Sequence, residues 1–163
     1  MALLTDGQKA TIKTAILTEP ALAEAVAIRD DNTITAYCNA TRSPNQKIWK
    51  PVYTADDLFQ TTDINIYIAR SVAERQAYDL LVTMDNLDPT RSSIRSGIVN
   101  IFSGFAQLVV AQREAILNDM TRSASWVEYI LGGVNQTTGT VTAWVANWTG
   151  ELSAFDVSSL LNG

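Results

Sequence analysis

From Phe105 to Leu131 the apolar residues Phe105, Leu108, Val109, Ile116, Leu117, Met120, Val127, Ile130 and Leu131 fall close to one helical stripe. Continued without a break at 1.5 Å per residue, such a helix is roughly 40 Å long. Gly132-Gly133 then supplies a strong C-terminal stop. A stripe of that length has to be covered by other elements. It therefore predicts an all-α fold, a helical bundle around one long helix at about 105–131. Leu117 is expected to face the core and Gln112 the polar side.

The segments before it carry helix signals of their own. Thr5 and Gln8 have capping-box spacing ahead of a helix at 5–17 with Ile12, Ile16 and Leu17 on one face. Pro20 suits the first turn of a helix at 20–28, and 32–40 reads as another short helix carrying Ile34, Tyr37 and Cys38. Residues 41–53 hold two prolines and no helical period, so they read as a loop or extended segment with Ile48, Trp49 and Val52 as anchors. Thr54 is placed to cap toward Asp57. Ile64, Ile66 and Ile68 alternate with Asn65 and Tyr67, which reads as a short extended piece or small hairpin. Ser71 and Glu74 form a second box, opening a helix at 72–85 with Val72, Ala77, Leu80, Leu81 and Met84 as its apolar positions. A helix through 92–102 follows the Asp88-Pro89 turn.

After Gly133 the character changes. Residues 134–150 are rich in Thr, Asn and Gly, and no helical period fits Val141, Trp144, Val145 and Trp148. This predicts an extended C-terminal arm or small hairpin, and Ser153 then caps a short last helix. The organisation expected is a helical domain at 1–133 and an arm at 134–163. Trp144, Val145, Trp148, Leu152 and Phe155 are the candidate partner-binding residues, since large apolar groups on an arm bury either in a neighbour's groove or in their own domain.

Of the 163 residues, 47% are apolar and 18% charged, as expected for one globular domain with a single core. The net charge of −5 and the acids interleaved among Arg70, Arg75, Arg91 and Arg95 disfavour free nucleic-acid binding, which calls for a basic patch. Cys38 is the only cysteine, which rules out an internal disulfide and a Cys-based zinc site. No run approaches the roughly 18 apolar residues of a spanning helix, and the N-terminus does not read as a secretory signal. The expected compartment is a reducing cytoplasm, with no membrane partner.

The chain has no histidine, which removes the commonest general base and metal ligand. The carboxylate pairs Asp30/Asp31, Asp56/Asp57 and Asp85/Asp88 all lie at expected helix ends or turns, where capping accounts for them. No catalytic, cofactor-binding or metal-ligating residue is assigned, and no cofactor is expected.

Five segments occur in order along nearly the whole chain: TDGQKATIKTAILTEPAL, KIWKPVYTADDL, RSVAERQAYDLL, LDPTRSSIRSGIVNIFSG and WTGELSAFDV. Together they resemble the small head–tail connector (adaptor, or neck) proteins of tailed bacteriophages. A departure falls at NDMTRSASWVEYILGGVNQTTGT, where Trp126 and Tyr129 replace much of that family's basic helix. The resemblance implies a non-enzymatic virion protein at the head–tail junction. It would form a homo-oligomeric ring of about 12 copies between portal and tail proteins, with DNA passing through the lumen. The rival readings are a carboxylate-based cell-wall hydrolase and a small host-directed binding module.

Overall fold

The computed structural model describes residues 3–41 and 45–163; residues 42–44 of the expected 41–53 loop lie outside these. The fold is mixed α/β, which corrects the expected all-α bundle: a four-stranded sheet in the order β4-β1-β6-β5 and a two-stranded sheet β2-β3 accompany the helices. In chain order the elements are α1 (Asp6–Thr18), a 3-10 turn (Pro20–Leu22), α2 (Ala23–Ile28), α3 (Asp31–Asn39), β1 (Lys47–Trp49), β2 (Tyr53–Thr54), α4 (Ala55–Thr61), α5 (Ile64–Ile68) and α6 (Val72–Val82). They continue with β3 (Asn86–Leu87), α7 (Ser92–Ile101), α8 (Gln107–Asp119), β4 (Thr121–Ser123), α9 (Trp126–Leu131), β5 (Gly133–Thr138), β6 (Val141–Ala146) and α10 (Ala154–Asn162).

The expected scaffold helix at 105–131 is not continuous. It is α8, a strand and α9. Two local causes end the helix and restart it. Residues 121–125, Thr-Arg-Ser-Ala-Ser, are poor helix interior because their hydroxyls compete for the backbone. Ser125 then caps α9 in a box with Glu128, accepting from the Glu128 amide while the Glu128 carboxylate accepts from the Ser125 amide at 2.8 Å. Nor are Ile64 to Ile68 extended. Asp63 caps them into a short helix, and Ile64 and Ile68 share a face.

The chain divides into two units, each with its own core. The first comprises Met1–Gln46, Ser123–Val134 and Ala146–Gly163; the second comprises Lys47–Arg122 and Asn135–Val145. In the first unit Ile12 and Ile16 of α1, Ile34 and Cys38 of α3, and Trp126 and Val127 of α9 close on Trp148, Leu152, Val157 and Leu160. Residues 146–163 thus pack into this core. In the second unit Trp49, Tyr53, Leu58, Tyr78, Ile98, Phe102, Ile116 and Leu117 are joined by Val141 and Ala143 of β6. β1 pairs in parallel with β6, Ile48 opposite Trp144.

Candidate functional site: exposed apolar features and the frame that holds them

The second unit is framed by a buried cation. Arg95 on α7 is 1% exposed and lies over the Trp49 ring, 4.7 Å from its centroid. Its Nη1 donates to the carbonyls of Pro89 (2.6 Å) and Thr90 (2.8 Å), and its Nε donates to Thr138 Oγ1 (3.0 Å). These acceptors are neutral, so burial pulls the guanidinium pKa downward. Just beyond the same end of β1, the hydroxyl of buried Tyr53 donates to Asp119 Oδ2 at 2.7 Å, and Lys50 lies 3.8 Å from Asp119 Oδ1. Burial first, and Asp119 second, push the Tyr53 pKa up.

On this frame sits a braced loop. Phe102 O accepts from Arg113 Nη1 (3.3 Å), and Ser103 O accepts from Arg70 Nη1 (3.1 Å). The Ser103 hydroxyl donates to Glu74 Oε1 at 2.7 Å. That bond, with those from the Ser71 amide and hydroxyl, holds the Glu74 carboxyl well down, at about 2. Gly104 turns the backbone at φ 106, a conformation that favours glycine. The loop presents Phe105, which is fully exposed. Ile64 and Ile68 of α5 and Leu108 of α8 are exposed as well, and α5 packs on α8. Val72 and Leu80 of α6 and Met84 just after it, expected as apolar positions of one helix, are exposed as well, while Tyr78 is the buried member of α6.

The first unit carries a groove of about 590 Å³ between α1 and α10, lined by Leu3, Leu4, Ala10, Leu152, Phe155 and Leu160, among others. Of the five candidate partner-binding residues, Trp148 and Leu152 are buried in the core of their own unit, and Val145 packs partly buried against the core of the second. Trp144 is half-buried on β6. Phe155 alone is strongly exposed, at 81%.

Leu152 is seated by a side chain acting as a strand. Asn39 Oδ1 accepts from its amide at 2.9 Å, and Asn39 Nδ2 donates to its carbonyl at 2.8 Å. The Trp-Thr-Gly-Glu-Leu-Ser stretch needs its glycine for packing, since a Cβ at Gly150 would lie 2.9 Å from the Trp148 ring. Sequence reading missed Arg95 and Asn39 because each acts on groups far away in the chain.

Each carboxylate pair has a member engaged at a helix start or a turn. Asp30 accepts from the Thr33 amide and hydroxyl, Asp57 boxes with Thr54, Asp56 accepts from Gln60, and Asp88 holds Thr90 and Arg91. Hydrogen bonds from Thr33 and Thr54 pull the Asp30 and Asp57 pKa values down. Burial pushes the Cys38 thiol up to about 11. Among the described residues no group of three metal-ligating side chains occurs, and no helix is long and apolar enough to cross a membrane. Comparison with family models, with curated proteins and with solved structures finds no match to this chain.

Proposed function

We propose that this chain is a non-catalytic structural subunit of a tailed-phage head–tail connector. About a dozen copies form a ring between portal and tail, and DNA passes through its lumen. The observation that carries the proposal is the meeting of the resembling motifs. Trp49 of KIWK lies under Arg95 of SSIRSG, whose guanidinium holds the carbonyls of the preceding Asp-Pro-Thr turn. Two of the five segments that suggested the family therefore meet in the second unit. Apolar exposure at Phe105, Leu108, Ile64 and Ile68, where α5 packs on α8, supports an assembling protein over a lone one, because clustered exposed apolar groups mark contact surfaces. The net charge of −5 suits a lumen that repels DNA and lets it slide.

The test is electron microscopy of the purified chain, alone and mixed with DNA-filled, tailless heads of the phage whose genome encodes it. Rings seated at the portal vertex are expected. Heads that gain no density, together with a chain that never forms rings, would overturn the proposal.

A further inference from the structure

β5 is an outer strand of the four-stranded sheet, and its one neighbour there is β6. Gly139-Thr140 connects the two, so the hairpin closes on Thr138 and Val141, and Thr137 faces Thr142. The hydroxyls of Thr137 and Thr142 are 2.9 Å apart, the close side-chain approach of a facing pair that exchanges no main-chain bonds. Alternation then turns the N–H and C=O groups of Asn135 and Thr137 away from β6, toward the open edge. Both residues are exposed, and among the described residues no main-chain bond from another element reaches them.

Open edges are normally guarded by a charge, a proline or a bulge. β5 reads Gly-Val-Asn-Gln-Thr-Thr and carries neither charge nor proline. The gap is wider than the strand. No Asp, Glu, Lys or Arg occurs from Tyr129 to Gly150, in a chain with 18% charged residues.

We propose that β5 is an assembly edge that pairs, main chain to main chain, with an extended strand of a second copy. Electrostatics chooses the occupant. A partner of opposite charge finds nothing here to select it, whereas two copies that each carry −5 approach with least repulsion where both are uncharged. Strand addition also brings backbones within about 4.8 Å, a distance at which facing like charges are costly. Placing this contact inside a ring rests on the connector reading; the pairing itself does not.

The experiment is sedimentation of the full chain over a concentration series for the wild type, Asn135→Pro and Asn135→Ala, with amide exchange on the wild type. Proline removes the outward N–H while leaving the β6 side intact, and alanine removes only the side chain. Association should weaken roughly tenfold or more in Asn135→Pro and stay at wild-type strength in Asn135→Ala. The Asn135 and Thr137 amides of the wild type should exchange more slowly on association, a readout that needs no variant to fold. Equal association of wild type and Asn135→Pro, equal loss in both variants, unchanged amides, or a chain that stays monomeric would each overturn the edge. Rings persisting in Asn135→Pro would defeat this inference and leave the connector reading standing. Closed pairs that the proline abolishes would do the reverse.

Discussion

Arg95 is a buried charge whose hydrogen bonds go to neutral groups, with the Asp88 carboxylate only a partial offset to its burial, and its geometry makes it sensitive to conservative change. A lysine keeps the charge, but one ammonium cannot span Pro89 O, Thr90 O and Thr138 Oγ1 while also stacking on Trp49. Arg95→Lys is expected to lower stability by about 2–4 kcal/mol, read by urea unfolding with tryptophan fluorescence. A loss below about 0.5 kcal/mol would show that the carbonyls are satisfied some other way. Glu74 gives a pH signature. Its folded pKa of about 2 lies below the ordinary 4.5, so the unfolded chain takes up the proton first as pH falls. Its contribution is complete above about 4.5 and disappears as the pH drops through about 2. The group is largely solvated, so the effect is a modest one. Glu74→Gln should flatten part of the acid limb of the stability curve, and an unchanged limb between pH 5 and 2 would refute the assignment.

Elements that announce themselves locally were legible in the sequence, and the others were not. Thr5/Gln8, Thr54/Asp57 and Ser71/Glu74 sit three residues apart, and each forms the box its spacing implies; Ser153, read as a cap, does so with Asp156. Ser125/Glu128 carries the same signal inside an apolar stripe, where the stripe masked it. β1 is three residues long and pairs with a strand nearly a hundred positions later, so no local period reports it. Facing failed in another way. Gln112, expected on the polar side of a helix, is 6% exposed; its side chain accepts from the Asp63 amide and donates to the Thr61 carbonyl, both at 2.8 Å. Gln112→Ala is therefore expected to cost about 1–3 kcal/mol, because it strands two main-chain groups. Leu117→Ala, at a site with no exposure, should cost about 2–5 kcal/mol. Thermal or urea unfolding checks both, and a neutral Gln112→Ala would mean that water replaces the amide. Of the candidate partner-binding residues only Phe155 is strongly exposed; Phe105 belongs to the apolar stripe in the sequence, and its exposure depends on a loop fixed by Arg70, Glu74 and Arg113.

At the scale of the molecule, both cores draw on the last thirty residues. Val141 and Ala143 enter one, and Trp148, Leu152, Val157 and Leu160 enter the other. A fragment of residues 1–133 should therefore lose cooperative unfolding in both units, and the intact free chain should protect the amides of 141–146 and 154–162 from exchange. A cooperative, native-like fragment would contradict this and would restore the reading of 134–163 as a separable arm. The chain passes between its units at 46/47, 122/123, 134/135 and 145/146, so neither unit is a continuous stretch of sequence. On the ribosome this imposes a wait. Ile12 and Ile16 are made early, yet they pack with Val157 and Leu160, which leave the exit tunnel roughly 140 residues later. The nascent chain must carry α1 with its apolar face only partly covered until α10 has emerged, and the first unit completes its core only then. Stalled chains of increasing length should gain protease resistance only when the C-terminal helix has cleared the tunnel, and resistance at shorter lengths would show that α1 finds an earlier partner.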